Sequence, residues 1–167
     1  MTSTKSIQTQ HKRVLAFDPG FERLGVAVLE KIGSKETLVH SECVRTPKTL
    51  LFAERLNILG AAAEKLIQEY APTAIALEDV YFAKNEKTAM KIAEVRGMLT
   101  YITLKNKLDL HQYTPSEVKV AITGYGKSDK SAIAAMVPRL VVLPIKKRLD
   151  DELDAIAVGL TCLASVR

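Results

Sequence analysis

Histidine and cysteine are scarce in this chain, three and two among 167 residues, and none of them stands at a metal-ligand spacing. His11, His40 and His111 are scattered, and Cys43 and Cys162 are far apart, so a zinc-type thiolate or imidazole site finds no support. Two cysteines cannot make the disulfide framework of a small secreted domain. They read as buried packing residues in a reduced, cytoplasmic setting. No apolar run approaches the roughly 18 residues of a membrane span. The stretch from Met1 to Arg13 is polar and lacks the apolar segment of a signal peptide; residues 1–12 read as a disordered leader. There is no internal repeat, no other low-complexity tract and no second-domain boundary. Residues 13–167 are expected to form one domain, long enough to bury a proper core.

Against these absences stands an ordinary globular composition, 47% apolar and 26% charged, with a net charge of +5. The charge is uneven. From Lys84 to Arg148 there are 13 Lys/Arg against 5 Asp/Glu, which leaves the rest of the chain at −3. A basic surface beside an acidic pocket suits a polyanion held by its phosphates. Many of these lysines also fit plain solvated helix faces, where charge contributes little.

The first third reads as strands: Arg13 to Asp18, Gly25 to Lys31 and Glu36 to Arg45, with Gly33-Ser34 turning a hairpin. Leu51 to Tyr70 has the spacing of a helix with one buried face (Phe52, Leu56, Leu59, Ala63, Leu66, Tyr70), closed by Pro72. Thr73 to Val80 is a short apolar strand of the kind buried on both faces. A long helix follows from Glu86 to Lys105. Its mid-helix Gly97, about 1 kcal/mol less favourable than Ala there, suggests close packing against another backbone. His111 to Tyr113 is a strand. Thr114 caps a helix with Pro115 in its first position, Ser128 to Val137 is a helix stopped by Pro138, and Leu149 to Ala164 is the last. Three antiparallel strands leading into βα units make a mixed five-stranded sheet with helices on both faces. A ribonuclease H-like arrangement is compatible with this order, as are other α/β folds.

Four carboxylates fall where such a fold brings segments together. Asp18 ends the run Val14-Leu15-Ala16-Phe17, and Glu78 ends Ala74-Ile75-Ala76-Leu77. Glu78 continues the buried run, so it is preferred to the neighbouring Asp79. In Asp150-Asp151-Glu152-Leu153-Asp154 the acids also suit a helix N-terminus through its dipole. Asp154 borders the apolar face there, and both Asp150 and Asp151 can share its side. Acids at the ends of buried strands are costly unless a cation binds them, and Mg²⁺ takes carboxylate and water oxygens. Three such segments support a two-metal site, which activates water and stabilises a leaving oxygen. The pattern points to a metal-dependent enzyme acting on a nucleic-acid backbone. Ala121 to Ser128 loosely matches a phosphate-binding loop, but that loop needs a strand before it, and Ser116 to Ile122 looks helical. Gly124-Tyr125-Gly126 is expected to form a tight loop, with Lys127 and Lys130 facing a backbone phosphate.

Four blocks, FDPGFERLGVAVLE, ALEDVYFAKNEKTAMKIAEVRGML, YTPSEVKVAITGYGKSDKSAIAAMV and LDDELDAIAVGL, cover residues 13 to 165. In this order and spacing they resemble the bacterial crossover junction endodeoxyribonuclease RuvC family, the Holliday junction resolvases. The resemblance implies a ribonuclease H-like fold, a two-fold homodimer, and cleavage of four-way DNA junctions with two Mg²⁺ per subunit, Mn²⁺ able to substitute. Its four acids fall on Asp18, Glu78, Asp151 and Asp154, which selects Asp151 over Asp150. Its aromatic beside the cleavage site falls on Tyr81, with Phe82 adjacent, and its DNA-contacting lysines fall on Lys119 and Lys130. The helix from Glu86 to Lys105 takes the place of the dimer helix, which gives Gly97 its packing partner. A RuvA–RuvB branch-migration complex is an implied partner; a membrane is not.

The expected activity is therefore paired, symmetric nicking of Holliday junctions by hydrolysis, leaving a 5′-phosphate and a 3′-hydroxyl. Rival readings are a junction-binding protein without catalysis, a ribonuclease H-like nuclease acting on RNA–DNA hybrids, and a sugar-kinase-like ATPase. The last normally needs two such domains and more than twice this length.

Overall fold

The structure, a computed structural model, describes residues 12–79 and 86–165. Its elements are β1 (Lys12–Asp18), β2 (Arg23–Ile32), β3 (Lys35–Arg45), α1 (Phe52–Tyr70), β4 (Ala74–Glu78), α2 (Glu86–Lys105), β5 (Asp109–Tyr113), α3 (Pro115–Thr123), α4 (Lys130–Leu140) and α5 (Asp150–Ser165). The sheet order is β3-β2-β1-β4-β5. β1, β2 and β3 are antiparallel neighbours, while β4 lies parallel to both β1 and β5. This is the five-stranded, ribonuclease H-like α/β arrangement expected from the sequence.

Side chains alternate between the faces of a strand, and here the two faces carry different sizes. Leu15, Phe17, Val26, Val28, Ile75 and Leu77 pack with α1 and α2. Val14, Ala16, Ala27, Leu29, Ala74 and Ala76 pack with α3, α4 and α5. Ala27, Ala16 and Ala76 are direct cross-strand neighbours, so a row of methyl groups lies beneath α5. Gly159 of α5 sits on this row; a Cβ there would run into Leu29 and press on Ala16. Small residues on both sides thus bring α5 close to the sheet.

The ends of the elements follow local chemistry. Gly33, with φ of 64°, turns the β2–β3 hairpin. Ala71 adopts a left-handed conformation and caps α1, its N–H bonding to the Ile67 carbonyl at 2.9 Å. Thr114 and Glu117 form a reciprocal capping box at α3, the kind of cap whose loss costs about 1 kcal/mol. Gly124 ends α3 at φ of 78°, so a helix, not a strand, precedes the phosphate-loop lookalike.

Several expectations are corrected. α4 starts at Lys130 because Asp129 accepts the Ala132 N–H at 2.8 Å as its N-cap. It runs through Pro138 to Leu140, because a proline this late removes one hydrogen bond while buried Val137 and Val141 hold the last turn. Val141 N–H still reaches the Val137 carbonyl at 3.1 Å. β1 takes in Lys12, and the rest of the expected leader lies outside the described residues. On α1 the buried face includes Arg55, Gly60 and Ile67, while Phe52 and Leu56 are only half-buried. A Cβ at Gly97 would meet nothing within 4 Å among the described residues, so the close packing expected there is not made within them. No described helix is long and apolar enough to cross a membrane.

Candidate active site

Strand parity decides which acids meet. Asp18 follows Val14 and Ala16 on the α5 face, and Glu78 follows Ala74 and Ala76 on the same face. Asp79 points the other way and pairs with Arg96 of α2 at 2.7 Å. Glu78 is therefore the inward acid of the two, as expected. Asp18 lies opposite Gly25 in the β1–β2 ladder. A Cβ on Gly25 would collide with the Asp151 carbonyl and crowd Asp18. Glycine at this position lets the first turn of α5 approach the strand end.

That turn supplies the other two acids. Asp151 and Asp154 both act on Asp18, whereas Asp150 is exposed and faces a depression of about 250 Å³ beside α4, lined with Lys130, Ser131 and Leu153. Burial, and then repulsion from Glu78, Asp154 and Asp151 in that order, push Asp18 up to about 8, with Lys130 opposing. Glu78 is raised by burial and then by Asp154; Lys130, hydrogen bonding with Asp18, and Lys119 work against the rise. Burial and like charge thus favour the protonated form of Asp18, while its hydrogen bond with Glu78 favours the charged form of Glu78. The four acids form one coupled electrostatic unit.

Cations flank it. Lys130 Nζ donates to Asp154 Oδ2 at 2.8 Å, which raises the lysine's own affinity for its proton. Arg23 Nη1 stands 3.3 Å from Asp151 Oδ2. The geometry does not make that contact a hydrogen bond, and this buried oxygen has no hydrogen-bond partner among the described residues. Lys119 lies near enough to Glu78 and Asp129 to stabilise their charged forms. Lys127 is exposed in the loop after α3, and no described contact brings it to the acids. Tyr81 and Phe82 lie outside the described residues.

A second set of residues fixes the first turn of α5, and the sequence reading missed it. Glu152 is 6% exposed although it lies between two of the acids. It accepts from Ser41 Oγ of β3 at 3.0 Å and pairs with Lys146 at 2.9 Å. Lys146 also donates to the Ser41 carbonyl at 2.6 Å, and Arg148 reaches Ser41 Oγ at 3.3 Å. The segment leading into α5 is thereby tied to the outer strand. A charged residue between two acids on a helix reads as solvent-facing, so its partner Ser41, 111 residues away, is what reveals it. Arg23 and Gly25 were likewise passed over, since neither carries a spacing signal. Cys162 is buried as expected, but Cys43 is half-buried. It continues the row Asp18–Gly25 onto β3, where burial and then the charge of Asp151 raise its thiol.

The donors fit a hard divalent cation. All four are carboxylates, their mutual repulsion is only partly offset by Lys130, and a buried Asp151 oxygen lacks a hydrogen-bond partner among the described residues. Mg²⁺ prefers such oxygens and relieves such repulsion. Among the described residues no group of three or more His, Cys, Asp or Glu side chains is placed to hold a metal ion as it stands.

Comparison with known proteins adds three findings. The profile of the family described as crossover junction endodeoxyribonuclease RuvC matches residues 14–162. The protein of that name from Thermosipho melanesiensis is 40% identical over 152 residues, covering 91% of this chain and 96% of its own. The one from Ruminiclostridium cellulolyticum is 34% identical over 147 residues, covering 88% and 89%. Among solved structures, T. thermophilus RuvC in complex with Holliday junction substrate superposes with a TM-score of 0.84 at 29% identity, covering 90% of this chain and 92% of that one.

Proposed function

The chain belongs to the crossover junction endodeoxyribonuclease RuvC family, and from that premise we propose that its coupled acids are the catalytic centre of a Holliday junction resolvase. The protein is an endonuclease acting on four-way DNA junctions. The observation that carries the assignment is the convergence of Asp18, Glu78, Asp151 and Asp154 on one end of the sheet, strongly enough to push Asp18 up to about 8.

Asp18, Glu78, Asp151 and Asp154 would hold two Mg²⁺ ions, with Mn²⁺ able to substitute. The bound ions supply positive charge for activating water and for stabilising the departing oxygen. The water oxygen bonds to phosphorus, the bond to the 3′ oxygen breaks, and the products are a 5′-phosphate and a 3′-hydroxyl. The chain's own residues prepare this. Gly25 and the Glu152–Ser41 network hold the acids of α5 against those of β1 and β4. Lys130 stabilises Asp154 and, with Lys119, offers donors to phosphate oxygens as charge builds up. Lys127, Tyr81 and Phe82 are assigned to the DNA as well, the two aromatics by stacking on bases at the opened crossover.

Two opposed nicks need two sites, and α2 supports a homodimer. Met90, Ala93, Gly97, Tyr101 and Leu104 are exposed along it, and Met90, Tyr101 and Leu104 each keep over 60% of their surface. Gly97 has open space above its Cα, so a second backbone can approach closely there. Tyr101→Glu should turn a dimer into a monomer in light scattering; a wild-type chain that is already monomeric at micromolar concentration sinks the paired-nick mechanism. A cytoplasmic location and coupling to a RuvA–RuvB motor are parts of the same reading.

The deciding experiment is cleavage of a labelled four-way junction with and without Mg²⁺, beside duplex and RNA–DNA hybrid controls. Symmetric, metal-dependent nicks confined to the junction are expected. Tight junction binding without cleavage in Mg²⁺ or Mn²⁺ would favour a purely binding role, and preferred cutting of the hybrid would favour a ribonuclease.

A further inference from the structure

A second basic feature borders the acids on the side away from α3 and α4. Arg23 and Arg45 are directly opposed in the β2–β3 ladder. Like charges in that position repel, and of the two only Arg23 has an acid beside it among the described residues, Asp151 at 3.3 Å. Lys48 stands beside them, 81% exposed along its side chain. With Glu22 and Thr46 these cations line a groove of about 460 Å³. Glu22 is the one acid in that lining, and it is shared, at 3.5 Å from Lys48 and 3.8 Å from Arg55. Arg45 forms no ion pair among the described residues; its side chain reaches back to Cys43. The groove carries a surplus of positive charge.

Its floor is fixed. Thr46 is buried; its hydroxyl donates to the Phe21 carbonyl at 2.7 Å and accepts from Arg55 Nε at 2.9 Å, while its N–H bonds to the Glu22 carbonyl at 3.1 Å. Phe21 packs edge-on against Phe52, and Arg55 and Lys91 lie over its ring, each 5.0 Å from the centroid. A groove held this firmly meets its ligand without reordering its walls. Arg23 links it to the acids, standing 3.3 Å from Asp151.

We infer that the groove formed by Arg23, Arg45 and Lys48 is a second phosphate seat, holding the junction backbone next to the cleaved phosphate, opposite the seat of Lys119 and Lys130. The inference rests on the resolvase reading above and adds to it. Cations on both sides of the acids grip the strand on each side of the bond to be cut. An anion lying between Arg23 and Arg45 offsets their repulsion, so the like-charged pair gains stability when DNA is bound. Because such contacts position without reading sequence, the groove contributes affinity and register, not base preference.

The test uses the full chain and a fluorescent four-way junction, with the dissociation constant measured over a salt series in EDTA. Arg45→Ala/Lys48→Ala is compared with Lys35→Ala/Lys65→Ala, a pair matched in charge, also exposed and remote from the groove. Arg23 is left intact because it touches Asp151. Two lost phosphate contacts should flatten the log–log salt dependence by about 1.8, at roughly 0.9 per contact. Affinity at moderate salt should fall at least about tenfold, the loss expected when counterion release is reduced. Arg45→Glu should weaken binding further. The nick made by saturating Arg45→Ala/Lys48→Ala should stay at the wild-type position, because phosphate contacts position the backbone without reading sequence. An unchanged slope in that variant, or an equal change in the remote pair, overturns the groove as a phosphate seat. A wild-type protein that neither binds nor cuts the junction would instead overturn the resolvase reading on which it rests. Circular dichroism of each variant separates loss of binding from loss of fold.

Discussion

On one face of the sheet the central strands present Ala16, Ala27, Ala74 and Ala76, flanked by Val14 and Leu29; on the other the same strands present Leu15, Phe17, Val26, Val28, Ile75 and Leu77. The large face gives α1 and α2 a thick apolar layer and carries no candidate catalytic group. The small face lets α5 lie close enough for acids on its first turn to act on acids at the strand ends. Hydrophobic burial per side chain is greater on the large face, while the small face exchanges bulk for proximity. One face serves stability and the other serves chemistry.

The sharpest way to break this comparison is at the two adjacent acids that end β4. Glu78→Gln and Asp18→Asn should abolish junction cleavage and leave junction binding. Asp79→Asn, on the other face, should leave cleavage near wild type and lose at most about 1 kcal/mol with its partly exposed Arg96 pair. If Asp79→Asn were as inactive as Glu78→Gln in a cleavage assay, face parity would not be what selects the site.

Packing changes come next. Leu15→Ala should cost about 2–5 kcal/mol in denaturant unfolding, yet preserve cleavage at temperatures where the protein stays folded. Gly159→Val should cost less, about 1–3 kcal/mol, and still impair cleavage, because the helix must lift away from Ala16. Equal loss of activity from both would contradict the division of labour.

Glu152→Ala removes the anchor of α5 on Ser41 and Lys146. Metal affinity, read as the Mg²⁺ concentration that half-saturates the thermal shift, should weaken by roughly 10–100-fold, the usual effect of losing a group that orients ligands. Glu152→Gln, which keeps an acceptor for Ser41, should recover part of it. A purely structural Glu152 would lower the melting temperature with no change in that midpoint.

The smallest effect is on pH. The folded-state value of Asp18, about 8, lies above its ordinary 3.8, so between these values the folded, metal-stripped protein holds a proton that the unfolded chain has lost. Its stability should be greatest below about pH 4 as far as this group is concerned, and should fall as pH rises towards 8. Asp18→Asn should flatten that decline in EDTA. A decline of the same steepness in the variant would place its origin elsewhere.

Much of this could be read from residues alone. The strand ends at Asp18 and Glu78 were legible because unbroken apolar runs stop at a charge. The limits of α2 and the cap at Thr114 were legible because helix signals are local. Pro138 misled because a buried valine on each side outweighs one lost hydrogen bond. Glu152 looked like a solvated charge because its partners are on β3 and in the segment before α5. Arg23 and Arg45 carry no motif at all; only the pairing register places them opposite one another.

The sequence by itself determined which residues are acids, where apolar runs end, and that side chains alternate along each strand, since all of these depend on neighbours a few positions apart. The tertiary structure decided which face became the site. That choice depends on which helix lies over which side and how closely, and the alanine row beneath Gly159, the clearance at Gly25 and the Ser41–Glu152 bond arise only when segments distant in the chain are brought into contact.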